Sequence, residues 1–376
     1  MVVRIFGISV AVTAVSLVVA FIYGSWEAVA LCAILGVLEV SLSFDNAVIN
    51  ATVLERMSEF WQKIFLTVGI LIAVFGMRLL FPLVIVWITA GLNPVRAFDL
   101  AMNPPPEGSG QESYEQILTD AHPQIAAFGG MFLFMLFLNF ILSERETTWL
   151  DWLEKPLAAI GRLDQLAVVI AGGTLVLVAE FLADDTHRAT ILISGTLGMI
   201  TYITVDGLGS LFHTEQLEEG GGEAAGGEET GGGNPSRGPS TAVKATGKAA
   251  FFLFLYLEVL DASFSFDGVI GAFAITADPI IIALGLGFIG AMFVRSITVY
   301  LVRTGSLAEY RYLEHGAHWA IGALAVILFV SIEYHINEVV TGLIGVAFIG
   351  TAFLTSIAAN RRERAEETQR ESTPVA

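Results

Sequence analysis

Apolar runs set the pattern of this chain. A helix needs about 20 mostly apolar residues to cross a bilayer. Ten runs approach that length, near 4–23, 27–52, 63–90, 122–142, 165–182, 188–208, 249–275, 279–302, 316–333 and 338–358. The fifth and ninth are the shortest. The pattern predicts an all-α polytopic membrane helix bundle of about ten transmembrane helices. The first run starts beside the basic Arg4, as a signal peptide would, but it lacks a clear small-x-small cleavage site and a longer apolar run follows at once. It is expected to stay on the protein.

Basic residues test that count independently. With the N-terminus placed in the cytoplasm, only Arg96 and Arg188 of the 19 Lys and Arg fall in outer loops, and only Arg78 and Arg295 fall within spans. A bias that alternates loop by loop is the positive-inside signal. It predicts cytoplasmic N- and C-termini. Two loops stand out. Residues 91–121 carry Pro104-Pro105-Pro106 and five acids, which reads as a solvated acidic loop or, less simply, as a cation-attracting vestibule. Residues 213–248 are Gly- and Glu-rich and read as a flexible cytoplasmic linker. The chain therefore divides into a membrane half over 1–212, the linker over 213–248, a second membrane half over 249–360 and a cytoplasmic tail over 361–376.

Composition agrees with a membrane protein: 55% hydrophobic, 15% charged, mean hydropathy +0.70. The formal charge of −18 comes mostly from loops and linker. No Lys/Arg cluster of useful size lies outside the tail, which argues against nucleic acid as a partner. The linker and tail are the surfaces open to cytoplasmic partners. Cys32 is the single cysteine, so neither an intrachain disulfide nor a Cys-based metal site can form.

One acidic phrase occurs twice, each time inside a span. Val37-Leu38-Glu39-Val40-Ser41-Leu42-Ser43-Phe44-Asp45-Asn46 is matched by Val259-Leu260-Asp261-Ala262-Ser263-Phe264-Ser265-Phe266-Asp267-Gly268. The copies fall in the second and seventh spans. An odd number of crossings separates them, so they enter the membrane from opposite sides, as in the inverted repeats of many transporters. The span after each phrase carries one arginine, Arg78 or Arg295. On a helix Glu39, Ser43, Asn46 and Asn50 share one stripe, and Ser41 and Asp45 point elsewhere. Glu258, Asp261 and Ser265 share a stripe in the second copy, with Ser263 and Asp267 on another. Either the first helix unwinds locally or its two acids serve different neighbours.

Ionised groups inside a membrane are costly and are functional by default. Hard divalent ions such as Mn²⁺, Mg²⁺ and Ca²⁺ take carboxylate, carbonyl and water oxygens. Glu39, Asp45, Asp261 and Asp267 are the candidate carboxylate ligands, Asn46 a further oxygen donor, and Ser41, Ser43, Ser263 and Ser265 supporting polar groups. Four carboxylates, two arginines and one divalent ion sum to zero charge, as a low-dielectric site requires. Arg78 and Arg295 are thus the charge-balancing residues. Glu258 lies outside this balance and is placed as protonated or nearer the interface. The competing reading is that the acids only pair with the arginines to hold helices together. His315 and His318, at i and i+3, are a weaker transition-metal pair. Asp206-Gly207 has no second phrase to complete an aspartyl-protease site, so no enzyme is expected.

In Glu39-x5-Asp45-Asn46, Asp261-x5-Asp267 and the arginines of the following spans, the chain resembles the TerC family of integral membrane proteins. The resemblance covers both halves. It implies a multi-pass protein of the bacterial inner (plasma) membrane, linked to tellurite resistance and to metal homeostasis, several of whose relatives export manganese. Gly268 departs from the polar residue expected there, and the linker and extra spans suit a divergent subgroup. The expected function is proton- or potential-coupled efflux of a divalent cation, Mn²⁺ first, with the ion as substrate and no permanent cofactor. The alternative is a non-transporting membrane scaffold in metal or tellurite stress.

Overall fold

The computed structural model describes residues 2–89, 91–106, 110–145, 147–163, 165–223, 244–273, 275–276, 278–305, 309–334 and 336–372. Helix α1 (Val2–Leu42) is two spans joined at Gly24–Ser25, where the backbone leaves helical geometry and Ser25 takes φ 62°. The two run antiparallel: Ser9 bonds Met292 and Ser296, Tyr23 bonds Asp278, and Gly36 then returns to face Ile289. After a turn at Ser43 the second span continues as α2 (Phe44–Glu55). The third is built from α3 (Glu59–Ile64), two π-helical stretches (Phe65–Gly69 and Ile72–Leu80) and α4 (Phe81–Thr89).

The expected outer loop is partly helical. It holds α5 (Pro94–Met102), capped by Asn93, and the start of α6 (Tyr114–Ile141). Helix α6 begins ahead of its apolar run because a capping box opens it. Gln116 N–H donates to the Ser113 hydroxyl at 3.1 Å, and Ser113 N–H donates to the Gln116 side chain at 2.8 Å. Then follow α7 (Asp151–Ile160), α8 (Leu166–Phe181), α9 (Arg188–Glu223), α10 (Gly247–Phe273), α11 (Pro279–Ile282), a π-helical Ala283–Gly290, α12 (Ala291–Thr304), α13 (Leu313–Val330) and α14 (Glu338–Ser372).

Each of the ten expected spans falls on these helices. Among the described residues seven helices are long and apolar enough to cross a membrane by length and composition; α8 is shorter, and α10 carries the acids of the second phrase. Among the described residues no strand is named. Phe132, Met131, Leu257 and Leu260 lie in a core of fully buried side chains. Val176, Phe181, Leu343 and Leu354 are exposed, which suits a chain whose outer surface meets lipid. The expected linker is described only at its two ends. Helix α9 runs on through Glu223, and Ala245 is held by backbone bonds to Arg56 and Ser58 (2.8 and 3.0 Å). Residues 224–243 lie outside the described residues.

The repeat shows in the packing. The spacing between the phrases carries Gly36 onto Glu258. A Cβ on Gly36 would meet Ile289 at 2.8 Å, and one on Gly69 would meet Glu258 at 2.8 Å. Each contact sets a phrase helix of one half against the arginine span of the other, the glycine on opposite partners. Asn46 touches Asp261 while Glu39 faces Gly268, so the two phrase helices cross antiparallel. Both arginine spans are π-helical at the same repeat position, Phe65–Gly69 and Ala283–Gly290. Pi-helical turns often accompany functional sites.

Candidate cation site

Arg78 is the centre of the cluster. Its side chain is about 2% exposed. One guanidinium nitrogen, Nη2, pairs with Glu39 Oε1. The other, Nη1, lies 3.9 Å from Asp261 Oδ2 and donates to the Ala73 carbonyl of its own π-helix at 2.9 Å. The leading acids of the two phrases therefore meet on one guanidinium. Ser43 donates to Glu39 Oε1 at 2.8 Å, Asn46 donates to Asp261 Oδ1 at 2.8 Å, and Ser265 lies 3.5 Å from Asp261 Oδ2. Two glycines make room for Glu39: a Cβ on Gly290 would overlap its Cγ, and a Cβ on Gly268 would stand 3.0 Å from its Oε2.

Beside Arg78 lies a cavity of about 30 Å³ walled by Asn50, Arg78, Glu258, Asp261, Arg295 and Thr298. That volume is enough for one or two water-sized guests, since a single one needs roughly 10–15 Å³ by the same measure. Glu258 is 7% exposed, so it is buried. Among the described residues neither of its carboxylate oxygens has a hydrogen-bond partner, and Asn50 Oδ1 and Arg78 Nε are also buried without one. An ionised carboxylate so placed needs a proton or a cation.

The stripe of Glu39, Ser43, Asn46 and Asn50 is buried as helical spacing required. The Ser263 hydroxyl donates to the Val259 carbonyl of its own helix at 2.9 Å, and the residue packs beside Gly129. The two arginines are not equivalent. Arg295 reaches the cavity wall but donates to the Leu66 carbonyl at 3.0 Å. Among the described residues it has no carboxylate within ion-pair distance. The side chains of Ser41, Asp45 and Asp267 lie outside the described ones.

Asn50 and Thr298 were not chosen as ligands from sequence. Asn50 extends the Glu39 stripe and was legible there; Thr298 becomes visible only in the cavity wall. Nor did sequence find a second polar cluster at the end of the bundle that carries Arg145 and Arg162. There Glu154 is buried, its Oε2 accepts from Trp149 N–H at 2.9 Å and its Oε1 from Trp319 Nε1 at 3.0 Å, while His315 Nδ1 lies 3.0 Å from Oε2. His318 bonds the Glu314 carbonyl and stacks on Phe140 at 3.6 Å. The two histidines thus serve different neighbours. Among the described residues no three His, Cys, Asp or Glu side chains are grouped closely enough to hold a metal by themselves.

No curated protein matches the chain, and no solved structure does. Residues 44–363, most of its length, match the family described as "Protein of unknown function (DUF475)". The chain belongs to the DUF475 family.

Proposed function

We propose that this protein moves a divalent cation across the membrane through the cavity between its two repeats. The observation that carries the reading is Glu258, a buried carboxylate whose oxygens lack partners among the described residues, in a cavity it shares with Asp261, Asn50 and Thr298. Those groups offer only oxygen donors, which suits Mn²⁺, Mg²⁺ or Ca²⁺ over softer metals. Glu39, Glu258 and Asp261 face one engaged guanidinium, Arg78, leaving an excess of negative charge for the ion to meet. The TerC resemblance favours Mn²⁺ and efflux. It also assigns Asp45 and Asp267 to the ion's path and implies a bacterial inner membrane, and the distribution of basic residues supports both termini inside. Rocking of one repeat against the other would expose the site to each side in turn.

A scaffold is the second reading, favoured by the Arg78 pairs with Glu39 and Asp261, which tie the halves together. It leaves Glu258 without a role. The test is tracer flux of Mn²⁺ into vesicles holding the full-length protein. Glu258→Gln, Asp261→Asn, Asp45→Asn and Asp267→Asn are each expected to abolish it while expression is kept. Wild-type flux in the Glu258 and Asp261 variants would end the transport reading. On purified protein, a bound ion at 100 times its Kd adds about 2.7 kcal/mol of stability, so a panel of metals read by thermal denaturation ranks the substrates.

A further inference from the structure

We infer that Arg78 is a tethered cation that trades places with the transported ion, an inference that rests on the transport reading above. The guanidinium touches one carboxylate from each repeat, Glu39 of the first and Asp261 of the second. It therefore stands where a cation shared by the two repeats would stand. Its anchorage is one-sided: Nη1 bonds the Ala73 carbonyl, while Nε is buried with no partner among the described residues. One flank of the side chain faces Glu39 and the other opens on the cavity of Glu258 and Asp261. The second half supplies the control. Its arginine, Arg295, also lines the cavity but donates to the Leu66 carbonyl at 3.0 Å and, among the described residues, has no carboxylate within ion-pair distance. The two halves therefore share one ion-paired guanidinium, that of Arg78.

That arrangement has a consequence for the transport cycle. A carrier whose carboxylates have lost their ion must keep them neutralised before it can reorient through a medium of low dielectric. In a site of acids alone only the incoming ion can do so, and transport becomes one-for-one exchange. Arg78 supplies the missing charge from within. It bridges the two repeats as the ion does, so the unloaded carrier can return and net movement becomes possible. When an ion enters, it displaces the guanidinium from Asp261 first, because the 3.9 Å contact is the looser of the two.

The experiment separates two modes of flux in vesicles containing the full-length protein, with Mn²⁺ as probe. Tracer exchange is read with Mn²⁺ on both sides, and net flux with Mn²⁺ on one side only. Arg78→Met is expected to keep exchange while net flux falls about ten-fold or more, since the returning site then carries uncompensated carboxylates. Arg78→Lys retains the charge and is expected to recover much of the net flux that Arg78→Met loses. Net flux in Arg78→Met equal to wild type overturns the inference. So does an equal fall of both modes in the two variants, which would make Arg78 a structural or ligand-shaping residue only. A wild-type protein that passes Mn²⁺ in neither mode fails the transport reading itself.

Discussion

Asn46 donates to Asp261 at 2.8 Å where the two phrase helices cross, and the mirror of that contact within the repeat is Gly268 against Glu39. One acid is held by an amide from the opposite half. The other has only a hydrogen at the equivalent place and is held instead by Arg78 and Ser43. The departure of Gly268 from the expected polar residue is therefore the space into which a guanidinium-bound glutamate fits.

Two glycines that border Glu39 should respond differently to a methyl group. At Gly290 the new Cβ overlaps the stem of Glu39, which cannot move without leaving Arg78. At Gly268 it stands 3.0 Å from the carboxylate end, which can yield by a few tenths of an ångström. Gly290→Ala is expected to cost about 1–3 kcal/mol, the usual toll of overpacking, and Gly268→Ala clearly less. Thermal denaturation in detergent checks the order. Equal effects would mean that Glu39 is not confined as described.

Glu258 gives a prediction of opposite sign. Removing a charge that has no partner commonly leaves a protein as stable or more so. Glu258→Gln is expected to raise the thermal midpoint in metal-free buffer, or leave it unchanged, and to remove the stabilisation that divalent cations confer. A marked loss of midpoint without metal would show that the carboxylate has a structural partner.

The architecture was legible because its signal is coarse. Apolar length places the spans, and two copies of one phrase announce the repeat. The burial of Glu39, Ser43, Asn46 and Asn50 followed from helical spacing alone. What sequence could not give was which arginine meets the acids. Matching Arg78 to Arg295 by similarity of neighbours was reasonable, yet among the described residues only Arg78 pairs with the phrase acids. A π-helical stretch shifts side chains relative to a count of 3.6 per turn. A serine on a membrane helix can also bond its own backbone, as Ser263 does, and spacing cannot show that. Glu154 escaped notice because a lone acid in an amphipathic loop helix ordinarily reads as solvated.

The first span is held by polar contacts as well as by apolar packing. Ser9 bonds Ser296 at 2.6 Å and the Met292 carbonyl at 2.7 Å, and Ser296 bonds the Ile5 carbonyl at 3.1 Å. Interhelical hydrogen bonds of this kind contribute about 0.6 kcal/mol on average and about 1.7 at most in a membrane protein. Ser9→Ala and Ser296→Ala should each cost within that range, and the double variant less than their sum because they share a bond. Strict additivity in a double-mutant cycle would show that the pair is not coupled.

The Glu154 cluster makes stability depend on acid. Burial alone would raise its carboxyl, but hydrogen bonds from His315, Trp319 and Trp149 N–H outweigh it and hold the group down to about 2. A carboxylate whose folded value lies below its unfolded one adds stability that is fully present above the unfolded value, about 4.3 for Glu. That stability is lost as pH falls from there toward 2. Glu154 ties α7 to α13 through His315 and Trp319, so its protonation should free the loop helix first. Wild-type protein is expected to lose thermal stability across that window, with protease access to residues 151–160 rising in step. Glu154→Gln keeps the side chain's shape but not its charge. It should lower stability at neutral pH and flatten the profile below about pH 4.3. An acid profile as steep in Glu154→Gln as in wild type would place the sensitive group elsewhere.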